Sequence, residues 1–128
     1  MSVTIEISIG ELLDKITILE IKAVQITDPN KQSNVQHELS VLNKAWASLN
    51  LSPDSVKKER SALKEINETL WEIEDQIREL EAEQSFGEDF IQLARSVYKT
   101  NDKRAAVKRT INEKLGSQLV EEKSYQAY

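Results

Sequence analysis

Cysteine is absent from the 128 residues and histidine occurs once, as His37. Without thiols there are no disulfides, no thiolate nucleophiles and no cysteine zinc sites. One imidazole also leaves a serine–histidine triad without a base in reach, and the paired Glu-x-x-His motifs of a di-iron bundle are missing, since Asn34 stands three residues before His37. Three glycines and two prolines are too few for the frequent turns of a β-sandwich or barrel. No apolar run approaches the roughly 20 residues that cross a bilayer. The opening MSVTIEISIG lacks the basic start of a signal peptide, so a cytoplasmic protein is expected.

What the chain does contain is charge and aliphatic side chains. Charged residues make up 30% and apolar ones 39%, with 17 Lys+Arg against 22 Asp+Glu, a net charge of −5. That balance suits one folded domain spanning residues 1–128 rather than disorder.

The spacing of the aliphatics predicts an all-α bundle of four to five helices with a long coiled-coil element and a short N-terminal extended segment. Val3, Ile5, Ile7 and Ile9 alternate with polar residues, as one face of a strand over 3–9 would. No second segment alternates in this way, which suggests pairing with another copy or a strand laid over a helix, the plain alternative being an ordered but unpaired arm. Ser8 with Glu11 three residues on has the spacing of a capping box. Ile9, Leu12, Ile16, Leu19, Ala23 and Ile26 then follow in steps of three and four, and Leu13, Ile18, Ile21 and Val24 form a second stripe beside them. A helix apolar nearly all round is enclosed by neighbours. Asp28-Pro29 starts a second helix with Val35, Leu39, Leu42, Trp46 and Leu49 along one side.

Ser52-Pro53 starts a third helix, expected over 53–84, whose seam Leu63, Ile66, Leu70, Ile73, Ile77 and Leu80 keeps a coiled-coil period near 3.5. Ser85-Phe86-Gly87 interrupts it. A fourth helix carries Phe90, Leu93, Ala94, Val97 and Tyr98. Asn101 offers the cap of a fifth, ended by Gly116, and the tail 117–128 has enough apolar anchors to dock.

Charge is segregated. Glu59 to Glu83 carries nine acids and three bases, a balance of −6, whereas Arg95 to Lys114 carries seven bases and two acids, a balance of +5. The basic stretch sits in an acidic chain, holds one aromatic and has an acidic helix to pair with, all of which argue against nucleic acid as a partner. Acid pairs one turn apart (Glu11 and Asp14, Glu65 and Glu68, Glu72 and Asp75) have the spacing of magnesium ligands in helical nucleotide pyrophosphohydrolases. Two of the three share one helix, so neither a metal site nor any other cofactor is expected.

Cations on apolar stripes are a further candidate chemistry, because a buried cation demands an anion. Lys15 and Lys22 of the first helix, with Arg78 and Arg95, are such cations, and Arg95, Arg104 and Lys108 belong to a polar cluster late in the chain. Lys15, Lys22, Arg95, Arg104 and Lys108 are the candidates for a small-anion or phosphate-ester cleft between the first and fourth helices, closed by the tail. Helical chorismate mutases hold a dicarboxylate with such cations, but the order of their motifs is not reproduced here. Asp14, Glu20, Asp75 and Glu122 are the acids that would otherwise pair with these cations.

Four segments carry a wider likeness: SIGELLDKITILEIK (8–22), LWEIEDQIR (70–78), FIQLARSVYKTNDKRAAVKRTIN (90–112) and GSQLVEEKSY (116–125). Nearly the whole chain resembles a family of small bacterial proteins, also met in bacteriophage genomes, known as a domain of unknown function. The resemblance implies one helical domain with its tail included, and it supplies no assigned catalytic or binding residue to carry over. Excess apolar helical surface points to self-association, as a homodimer or larger oligomer with room for another protein partner and no catalysis. Leu12, Ile18, Ile66, Leu70 and Ile73 are the expected interface.

Overall fold

Ser8 opens the first helix as its spacing predicts, its Oγ accepting the Glu11 amide at 3.1 Å. The computed structural model describes all 128 residues, and its regular structure is four helices: α1 (Ile9–Gln25), α2 (Pro29–Ala47), α3 (Lys57–Ala82) and α4 (Glu88–Leu115). Leu12, Leu13, Ile16, Leu19 and Ile21 of α1 are all buried, which makes it the central helix. It packs on α2, α3 and α4, while α2 touches only α1 and buries only Val35. None of the helices is long and apolar enough to cross a membrane.

The extended segment expected over 3–9 is not a strand. Ile9 already belongs to α1, and residues 1–8 have no regular structure, with Val3 and Ile5 in solvent. A strand needs a neighbour for its amides and carbonyls, and no second strand forms in the chain.

The third helix starts later than its Ser-Pro punctuation suggests. Residues 53–56 form a turn in which both the amide and the hydroxyl of Ser55 donate to the Ser52 carbonyl, at 3.1 and 2.7 Å. Val56 is then buried against Leu13, Leu63 and Ile111, with Trp46 packed alongside. Burying Val56 sets the start of α3 at Lys57, without a side-chain cap.

The expected fourth and fifth helices are one, so Asn101 is an interior residue and not a cap. Between Phe90 and Leu115 there is neither glycine nor proline. An internal asparagine costs at most about 0.7 kcal/mol, less than breaking a hydrogen-bonded helix that packs on α3. Gly116, at φ 63°, ends the helix, and the Ser117 amide closes back on the Asn112 carbonyl at 2.9 Å.

Consecutive, long and in contact, α3 and α4 form an antiparallel hairpin. Leu63 meets Ile111 at its base, and Leu80 and Leu93 share a groove near its tip. At 1.5 Å per residue these helices are about 39 and 42 Å long, against about 25 Å for α1. The residues of α1 face α3 between Arg60 and Arg78 and α4 between Asn101 and Asn112, so the far part of the hairpin has no third helix over it.

The tail 117–128 runs back along α4 without regular structure. Ser117 Oγ accepts the Ile9 amide at 3.1 Å, Arg109 donates to Glu122 at 3.0 Å, and the Tyr128 hydroxyl donates to Asp102 while its ring meets Tyr98 edge-on.

Candidate functional site

Three polar arrangements sit where α1 meets the hairpin. The first closes the start of α1. Gly10 donates its amide to Asn112 Oδ1 at 2.7 Å, Ser8 Oγ donates to Glu121 at 2.5 Å, and Asn112 Nδ2 reaches the same carboxylate at 3.4 Å. With Ser117 and Ser8 taking the Ile9 and Glu11 amides, the first three amides of α1 all have partners.

Burial by itself raises the Glu121 carboxyl, but the Ser8 hydroxyl, its own amide, Lys108 and Asn112 together hold it below the ordinary range. Glu59 is likewise lowered, chiefly by the hydrogen bond from Lys114. A carboxyl depressed on folding contributes stability that is whole above its unfolded value and is lost as the pH falls through the folded one. The melting temperature is therefore expected to hold from pH 7 to 5 and to drop below about pH 4.5, with Glu121→Gln removing part of the drop. Thermal unfolding followed by circular dichroism across that range measures it.

The second arrangement is a buried polar knot. Asn67 of α3 donates to Asp14 Oδ1 at 2.9 Å and to Thr17 Oγ1 at 3.1 Å, and Thr17 Oγ1 donates to the Asp14 carbonyl at 2.8 Å. Asp14, Thr17 and Asn67 are all buried. Lys108 pairs with Glu11 and lies 3.8 Å from Asp14 Oδ2. No buried side-chain polar atom lacks a partner, so the knot is a closed structural network.

The third is an open groove of about 490 Å³ beside the knot, where Ile18 and Lys22 of α1, Asn67, Leu70, Trp71, Glu74, Asp75 and Arg78 of α3, and Asn101 and Arg104 of α4 meet. Arg78 is held by Glu74 at 3.0 Å. Arg104 donates to Asn67 Oδ1 at 3.5 Å and, like Lys22, forms no ion pair.

The five cations expected to form one cleft are thus divided. Lys22 and Arg104 share the groove. Lys108 belongs to the knot, Lys15 lies exposed 3.6 Å from Glu11, and Arg95 is on the outside of α4. Of the acids considered as structural partners, Asp14 pairs with Lys108, Glu20 with Arg60 and Lys64, and Glu122 with Arg109. The acid pairs at magnesium spacing do not converge into a group of three or more potential metal ligands.

The five residues expected at an interface are divided as well. Leu12 and Ile73 are buried by their own chain, while Ile18, Ile66 and Leu70 stay half-covered. Apolar residues are left open at Val24 of α1, at Val41 of α2 and, farther out, on the hairpin. Ile91 is 47% and Phe86 53% exposed, and Ile77, Leu80, Phe90, Leu93 and Val97 are only half-covered.

Spacing arguments pass over Asn67, Thr17 and Trp71, although their signal is present. Asp14 and Thr17 each follow a fully buried residue of α1, Leu13 and Ile16, and are buried with it. Asn67 follows Leu63 by four on the same side of α3 and is placed to meet them.

The model of a family of unknown function (DUF6165) matches residues 3–128. No curated protein and no solved structure matches the chain.

Proposed function

The chain belongs to that family of unknown function, whose description assigns no activity, and from its own surface we propose that it is a self-associating helical module in which two copies pack their α3–α4 hairpins together. One observation carries this reading. The accessible surface is 9120 Å², whereas a compact monomer of 14.6 kDa exposes about 6,900 Å². The loose ends and α2, which buries only Val35, account for some of the excess. The remainder has the scale of a standard interface, about 800 Å² from each partner.

Charge says what kind of partner fits. Of the α3 acids only Glu59 and Glu74 find a cation in the chain, while Arg95, Lys99 and Lys103 of α4 find no acid. Each protomer thus offers an acidic hairpin tip (Glu79, Glu81, Glu83, Glu88, Asp89) and, further down, a basic stretch. Two hairpins lying antiparallel about a two-fold axis bring the tip of each onto the basic stretch of the other, and the open leucines and isoleucines close into a four-helix seam.

Light scattering on the eluting peak of a sizing column tests this at micromolar concentration. The native chain is expected at twice 14.6 kDa. Ile91→Asp, at a position exposed enough to spare the fold, is expected at the mass of one chain with its helix content retained. A native chain that elutes with the mass of one protomer contradicts the reading.

A further inference from the structure

The groove between Lys22 and Arg104 has a use that self-association does not absorb. We infer that it binds a phosphate monoester of a polyhydroxylated molecule, a sugar phosphate in chemical class. The first ground is charge left over. Of the cations in the groove, Arg78 is taken by Glu74, but Arg104 has a single 3.5 Å partner for its five N–H donors and Lys22 has no carboxylate. Two unpaired cations on facing helices match a group that carries between one and a half and two negative charges at neutral pH, as a phosphate monoester does. The planar guanidinium also suits two oxygens of one phosphate.

The second ground is what accompanies the cations. Asp75, with no ion pair in the chain, and the Asn101 amide line the same groove. A bare dianion gains nothing from a free carboxylate nearby and is repelled by it. A ligand that also bears hydroxyls donates to Asp75 and both donates to and accepts from Asn101. Nucleic acid, with a phosphate at every step, is disfavoured by the same carboxylate.

The third ground is the wall. Trp71 and Leu70 supply apolar surface beside the polar groups, the combination of a broad hydrophobic face with a few placed polar atoms that small-molecule sites use. The C–H face of a pyranose or furanose ring fits such a wall. At about 490 Å³ the groove lies within the usual range of ligand sites.

Trp71 and Trp46 are the only tryptophans, so two indole N–H signals in a proton–nitrogen correlation spectrum report on the chain, and Trp46→Phe identifies which is Trp71. A panel of hexose and pentose phosphates is titrated into the native protein, with inorganic phosphate and the free sugars alongside. The inference expects at least one sugar phosphate to move the Trp71 signal saturably, and at least tenfold more tightly than inorganic phosphate or its parent sugar. Arg104→Gln and Lys22→Gln are each expected to weaken that binding tenfold or more at unchanged melting temperature, and Arg95→Gln, outside the groove, to leave it as it was. A panel that leaves the Trp71 signal in place overturns the inference. So does inorganic phosphate binding as tightly as any ester, or binding that survives both groove substitutions.

Discussion

Replacing Lys108 with methionine is expected to lower the stability of the chain by about 3 kcal/mol. That is the low end for removing one side of a buried ion pair, because the lysine and Glu11 are half-buried and only Asp14 is fully buried. The lysine stem is largely covered, and its ammonium lies between Glu11 and Asp14. Methionine fills much the same space, so little of the loss comes from packing. What remains is a carboxylate on Asp14, 4% exposed, with only the Asn67 amide to offset its charge, and a second carboxylate one turn away. For a chain of this length a change of 1 kcal/mol moves the melting temperature by about 4 °C, so a fall of more than 10 °C is expected. The double variant Lys108→Met with Asp14→Asn removes the stranded charge and is expected to recover most of the loss. If the single variant melts with the native chain, the knot is open to water and the α1–α4 packing described above is wrong.

The second large effect reverses an ordinary expectation. In an exposed helix, alanine is better than glycine by about 0.8–1 kcal/mol. At Gly10 a Cβ would sit 2.6 Å from the Lys108 carbonyl oxygen and 2.9 Å from Asn112 Oδ1. The first of these is backbone within α4 and cannot turn aside, so α1 has to move away from α4 and stretch the 2.7 Å bond from Gly10 to Asn112. Overpacking of this kind costs about 1–3 kcal/mol. Gly10→Ala is accordingly expected to destabilise by about 1 kcal/mol net of its helix preference, as chemical denaturation would measure. A stabilised Gly10→Ala variant would show that the two helices do not approach closely there.

Helix boundaries were legible wherever a local chemical device sets them. Ser8 and Asp28 cap, and Gly116 closes α4, because each acts within a few residues of its own position. Boundaries decided by distant packing were not legible: Ser52-Pro53 reads as a helix start, yet α3 waits for Val56 to be buried under Leu13 and Ile111. Asn101 reads as a cap, yet tertiary packing runs the helix through it.

The same divide applies to function. Periodicity names the apolar side of a helix but not its occupant, and so Leu12 and Ile73, as apolar as any residue in the chain, are spent inside one protomer. Lys22 is legible as a cation on an apolar stripe and Arg104 as part of the basic stretch. That they share a groove, while Arg95 and Lys15 stand outside it, depends on how α1 lies across α3 and α4, which no local pattern encodes.

Amide hydrogen exchange along residues 77–97 reads the pairing of hairpins where it has to occur. Two helices without a third layer fray at their free end and exchange readily, whereas four in contact are protected together. With native protein at a concentration where its mass is that of two chains, these amides are expected to exchange at least tenfold more slowly than in Ile91→Asp, and those of Leu12 to Leu19 at similar rates in both. Equal, rapid exchange of residues 77–97 in the two proteins would show that nothing covers the hairpin, and would contradict self-association through it.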